Sequence, residues 1–168
     1  MDSLWITVDQ CTQNQRVGEV TIVANVLDVA AYILERQGPM TAMKLQKLCY
    51  YSKAWHLVWE ERPLFSNRIE AWANGPVVPD LYREHRGHFR VEEIEAGSSA
   101  RLDENEAESI DIVLEAYGPR SAHDLSELSH REDPWRDARR GIPEGARSQS
   151  EITDAALMEY FDAQTTAL

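Results

Sequence analysis

The sequence is poor in the residues that mark most recognisable chemistry. Cysteine appears twice, as Cys11 and Cys49, in neither a C-x-x-C pair nor a zinc-ligand spacing. That argues against a disulfide-stapled secreted scaffold and suits a reducing cytoplasm. No run approaches the roughly 18 apolar residues of a membrane span, so no membrane partner is expected. The opening "MDSLWITVDQ" lacks the basic start and apolar stretch of a signal peptide. No G-x-x-x-x-G-K-[ST] phosphate loop, G-x-G-x-x-G turn or G-x-S-x-G elbow occurs. Positive charge is also scarce: 17 basic residues, 3 of them Lys, face 29 acidic ones, for a formal net charge of -12. A clustered basic surface for DNA or RNA backbone is therefore not expected, and direct nucleic acid binding is not expected either.

What is present is an ordinary globular composition, 43% hydrophobic and 27% charged over 168 residues. This length favours one domain with one core. Residues 21–168 are read as that domain, preceded by an arm at 1–20 with a short strand near residues 4–8. The fold class expected is mainly α, a compact single helical domain, with a second strand-like piece at 68–73.

Apolar residues at three- and four-residue spacing predict a helix over 22–37, using Val23, Val26, Leu27, Ala30, Ile33 and Leu34. Gly38-Pro39 stops it. Thr41 can cap a second helix running through "AMKLQKLCYYSKAWHLVWEE". Its apolar arc is wide enough to make it central, with Gln46, Lys53, Glu60 and Glu61 on the opposite side. The segment "WANGPVVP" at 72–79 combines a turn at Asn74-Gly75-Pro76 with Pro79 as the first residue of a helix to His85. Residues 91–101 read as a solvated linker. Helices follow over 103–117, where Asp103 and Glu106 have capping-box spacing, and over 121–129. Asp133 and Pro134 are read as cap and first position of a short turn carrying Trp135. Residues 139–150 form a loop, and Thr153 caps a last helix to about residue 163.

The candidate chemistry is thin. His85 and His88 lie three apart beside Glu84, without the third and fourth ligands a metal needs. They read as a solvated helix end, and no metal or cofactor is expected. Cys49 sits among Leu45, Leu48 and Tyr50, which suits a buried free thiol rather than a nucleophile. His56 reads as a satisfied, partly buried residue or a surface contact. His130 and Glu132 have acid–base chemistry but occupy capping and turn positions, where such residues tie off backbone groups. A hydrolase or ligand-binding domain built on that cluster is the catalytic alternative; the favoured reading is no enzyme. Five tryptophans stand out. Trp72 and Trp135 lie beside turns, where they can close loops over the core with an edge left wet.

Three blocks taken together carry a resemblance: "MKLQKLCYYSKAWHLV" (43–58), "PLFSNRIEAWANGPVVPDLYREH" (63–85) and "LSELSHREDPWRDAR" (125–139). In this order and spacing they resemble the Panacea domain family of SocA-like antitoxins and phage-associated proteins. The resemblance implies a compact helical protein that neutralises a cognate toxin encoded by the adjacent gene, by direct protein binding in the cytoplasm. It also implies two associations of some members: delivery of the bound toxin to the ClpXP protease as a proteolytic adaptor, and residence in prophages. It assigns no catalytic residues. Signature or partner-binding candidates are Gln46, Lys47, Trp72, Asn74, Gly75, Pro76, Pro79, Tyr82, His130, Glu132 and Trp135. Two positions depart from the family pattern: Ser129 stands where Thr is common, and Asn74 where an aromatic is common.

Overall fold

The computed structural model describes residues 23–166. The expected arm, the strand at 4–8 and Cys11 lie outside the described residues. Within them the chain is mainly α. Its helices are α1 (Val26–Gln37), α2 (Ala42–Glu60), α3 (Pro79–His85), α4 (Glu104–Tyr117), α5 (Ala122–His130), α6 (Asp133–Ala138) and α7 (Asp154–Thr166). Strands β1 (Met40–Thr41), β2 (Ile69–Trp72), β3 (Gly75–Val77), β4 (Arg90–Val91) and β5 (Glu151–Ile152) are short.

Helix α2 is the axis of the fold. It packs against α1, α4, α5, α7 and β3, and Leu45, Leu48, Cys49, Tyr50, Tyr51 and Ala54 are fully buried on it. Thr41 caps it, its Oγ1 accepting from Lys44 N at 3.2 Å. Gln46 and Lys53 do not face solvent as the helical wheel predicts; both are buried. Between its exposed ends α2 is enclosed, so polar residues there must find partners inside.

The capping signals behave as read at α4 and α5, while α1 starts later than the expected residue 22, at a cap the sequence reading did not name. Asn25 and Asp103 each form a reciprocal capping box, and Ser121 accepts from Asp124 N. Val23 precedes the α1 cap and is exposed rather than internal. At α6 the cap is Glu132, one residue earlier than expected, and its side chain makes no capping bond. Helix α7 continues through the "AQTT" of the tail to Thr166.

Residues 91–101 correct the sequence reading most. Far from a linker, the segment is strapped across α1: Val91 and Ile94 join the core, and Ser98 N donates to the buried Asp28 at 2.8 Å. Gly97 runs so close to α1 that a Cβ there would lie 2.0 Å from Leu27 O. Two apolar residues among Glu92, Glu93 and Glu95 were enough to anchor it.

The second correction concerns the hairpin. The turn is Ala73-Asn74, and Gly75-Pro76 already belong to β3, with Trp72 opposite Gly75 and Glu70 opposite Val77. The sheet order is β3-β2-β5, which leaves β3 on an edge, where a proline's missing N–H costs no ladder bond. Pro79 starts α3 as expected.

Candidate functional site

A cleft of about 570 Å³ opens between the start of α2, the β2–β3 hairpin, α3 and the loop before β5. Ala42, Met43, Gln46 and Lys47 come from α2, Trp72–Asn74 and Val77 from the hairpin, Tyr82 and His85 from α3, and Arg147–Gln149 from the loop. No lining residue is acidic, although the chain carries 29 Asp and Glu.

Gln46 fixes the cleft's frame. Its Oε1 accepts from Val78 N at 2.9 Å, and its Nε2 donates to Val78 O at 3.3 Å. Val78 is the N-cap of α3: its carbonyl also accepts from Leu81 N and Tyr82 N, while Gln46 supplies the acceptor for its N–H. Gln46 Nε2 also lies 3.0 Å from His85 Nε2. Since the amide nitrogen only donates, that imidazole nitrogen accepts. Burial holds His85 below the ordinary imidazole range, in keeping with a neutral ring. The expected solvated helix end is therefore wrong for His85, which is buried.

Lys47 lies one residue on. It is 1% exposed, and its Nζ donates to Pro76 O at 3.2 Å. Among the described residues no carboxylate forms an ion pair with it. Burial alone pushes its ammonium down to about 8. The hairpin is moulded to its stem: Gly75 has φ +118°, and a Cβ there would stand 2.6 Å from Lys47 Cε. Glycine is required at that position on both counts.

Trp72 is a cleft wall rather than a core residue. It is half-buried, meets Tyr82 edge-on at 5.0 Å, and donates from Nε1 to Glu70 at 2.9 Å. The hairpin is held from behind by α5 and α6. Trp135 Nε1 donates to Trp72 O at 2.8 Å, Arg139 Nη1 to Ala71 O at 3.0 Å, and Ser126 Oγ to Asn74 O at 2.7 Å.

The sequence candidates thus separate into two groups. Gln46, Lys47, Trp72, Asn74 and Tyr82 line the cleft, while Gly75, Pro76 and Pro79 shape its edges. His130, Glu132 and Trp135 lie behind it. The His130 ring stacks on Trp135 at 4.1 Å, and its buried Nε2 has no partner among the described residues. Glu132 turns instead to α2, accepting from Tyr51 OH at 2.6 Å, and burial pushes its carboxyl up to about 7. No hydrogen bond joins His130 to Glu132 among the described residues, so the two do not form an acid–base pair. His56 is fully buried, its Nδ1 2.8 Å from Ser109 Oγ, rather than partly exposed. Burial of His56 and the nearby Arg62 lower its pKa to about 4. Cys49 is a buried thiol as read. No group of three or more His, Cys, Asp or Glu suited to a metal occurs among the described residues.

Sequence reasoning missed eight of the thirteen lining residues, Arg147 and His85 among them. Arg147 sits in a loop with no periodic signal. His85 had one: it stands three residues after Tyr82, one helical turn along, and their rings meet at 5.5 Å.

The family model described as "Antitoxin SocA-like, Panacea domain" matches residues 45–136. "Antitoxin SocA" of Caulobacter vibrioides (strain NA1000 / CB15N) is 33% identical over 137 residues, covering 74% of this chain and 72% of that protein. No solved structure matches.

Proposed function

The chain belongs to the SocA-like antitoxin, Panacea domain family, and on that premise we propose that it neutralises a toxin protein by binding it directly. The observation that carries this reading is the cleft. It is open, acid-free, and walled by side chains from the family-matched stretch, Gln46, Lys47, Trp72, Asn74 and Tyr82. Such a surface offers an anchor point: an aromatic wall beside a buried polar group is the composition of interface hot spots. The acid–base alternative loses its support, because His130 and Glu132 face different neighbours. Binding rather than turnover is the function proposed.

The partner expected is the product of the adjacent gene, in the cytoplasm. Expressing that gene alone should arrest growth, co-expression should restore it, and affinity purification of this protein should recover the neighbour's product. A harmless neighbour that never co-purifies would remove the reading. Delivery to the ClpXP protease is the finer alternative within it. Under that mechanism the partner's half-life falls when both this protein and ClpXP are present; under simple occlusion it does not change.

A further inference from the structure

We propose that the apolar run "LWITV" of this chain, residues 4–8, seats in the cleft when no partner is bound, so that a partner must displace it. The proposal goes beyond the antitoxin reading and does not need it, because cleft and run belong to one chain.

Residues 1–22 lie outside the described residues, and their sequence supplies the chemistry of the occupant. Leu4, Trp5, Ile6 and Val8 fall within five residues, with Asp2 before them and Asp9 after. Left in water, such a run forgoes the stabilisation that burial gives each of those side chains. The cleft is the matching surface. Its apolar and aromatic wall runs from exposed Met43 past Val77 to Trp72 and Tyr82. Its volume of about 570 Å³ lies in the ordinary range of ligand cavities.

Charge favours the same pairing. The whole chain is at -12, so a run flanked by two aspartates is disfavoured over much of its surface. No acid lines the cleft. Arg147 is exposed at the rim, forms no ion pair among the described residues, and can meet Asp2 or Asp9. A second cleft, of about 370 Å³ between β2 and the start of α7, is lined by Lys53, Arg68, Glu151 and Asp154 and does not suit an apolar run.

The tether reaches. The stretch from Val8 to Val23 spans up to about 50 Å when extended. The described residues begin beside the cleft: Val26 N donates to Asn67 Oδ1 at 2.9 Å, and Asn67 Nδ2 to Asp80 Oδ2 at 2.7 Å. Asp80 lies in the first turn of α3, whose Tyr82 is a cleft wall. A run joined to the domain in this way has a high effective concentration at the cleft, so modest contacts are enough to fill it.

The natural chain carries the handle for the test. Cys49 is fully buried, so a nitroxide reagent labels Cys11, two residues past Asp9. In the labelled full chain, the indole N–H resonance of Trp72 should broaden, while that of Trp59, about 24 Å along α2 from Met43, stays sharp. The double variant Leu4→Ser/Trp5→Ser should recover the Trp72 signal at least threefold. An unaffected Trp72, equal broadening of Trp72 and Trp59, or broadening that the double variant retains would overturn the proposal. So would broadening of Trp72 in unlabelled protein mixed with labelled protein, which would place the run in the cleft of a second copy. Should the double variant fail to fold, the wild-type comparison of Trp72 with Trp59 decides alone.

A second measurement reads the displacement. A co-purified partner should sharpen Trp72 in the labelled chain, and should bind Leu4→Ser/Trp5→Ser at least threefold more tightly than wild type, since an occupied cleft lowers apparent affinity. Broadening that persists in the complex, or equal affinity for the two proteins, would overturn the displacement. If no toxin partner exists, the labelling experiment still reports on the cleft, so failure of the antitoxin reading and failure of the self-occupied cleft are told apart.

Discussion

Two lysines on α2 lie less than two turns apart, both buried, and the fold treats them differently. Lys53 is 3% exposed. Its Nζ reaches Asp154 on α7 at 2.9 Å and sits 4.9 Å from the centre of the Phe65 ring. Lys47 is buried at least as deeply, yet offers its charge to one carbonyl at 3.2 Å. The contrast shows that this protein can supply a buried lysine with a counter-charge and an aromatic face. At Lys47 it supplies neither, and the ammonium lies against Gly75 and Pro76 of the hairpin. Lys53 ties α2 to α7; Lys47 ties α2 to the edge strand β3.

Replacing each lysine's charge or partner should separate the two roles. The largest effect is expected for Lys47→Met, in the direction of greater stability, by about 1–3 kcal/mol at neutral pH, because an uncompensated buried charge is exchanged for an apolar stem of similar length. The folded-state ammonium titrates at about 8, against an ordinary 10.5. Relative to the variant, which shares every other titrating group, wild-type stability should therefore fall as pH drops from 10.5 through 8. Urea denaturation at several pH values reads both results. A Lys47→Met protein less stable than wild type would make the two lysines alike.

Asp154→Ala should follow, destabilising by about 1–2 kcal/mol. It strands the Lys53 ammonium, but Asp154 is half-exposed, so the loss stays below that of a fully enclosed pair. A thermal melt that does not move would mean that Lys53 needs no partner, and the contrast with Lys47 would lose its basis. Arg147→Ala should change stability by less than about 0.5 kcal/mol, since the side chain is exposed on a loop. A larger drop in the same melt would show that the rim is part of the scaffold.

Much of the scaffold could be read from the chain. Thr41, Asp103, Ser121 and Thr153 announce helix starts through local hydrogen bonds, and such signals need no tertiary context. Pro79 marked the entry to α3 for the same reason. Gln46 and Lys53 were misplaced because periodicity assigns polar residues to a wet face, whereas an enclosed helix keeps them for long-range partners such as Val78 and Asp154. The 91–101 strap was missed because its two core residues, Val91 and Ile94, are too few to set a period, and the rest of its anchor is backbone, Gly97 against Leu27 and Ser98 N on Asp28. The cleft itself was half legible. Its signature residues stood in the motif, but Arg147 joins them only through the fold. The split between His130 and Glu132 depends on the turn between α5 and α6, which sequence spacing does not reveal.

Gln46 holds both backbone polar groups of Val78 and steadies His85 with the same amide. Three cleft-forming segments, α2, the end of the hairpin and α3, are thereby locked to one side chain before any ligand arrives. A partner entering this cleft meets walls whose conformational entropy was already lost during folding. Its binding free energy is then free of that ordering cost. Loosening Gln46 would weaken association by restoring that ordering cost, over and above any contact its own side chain makes in the cleft.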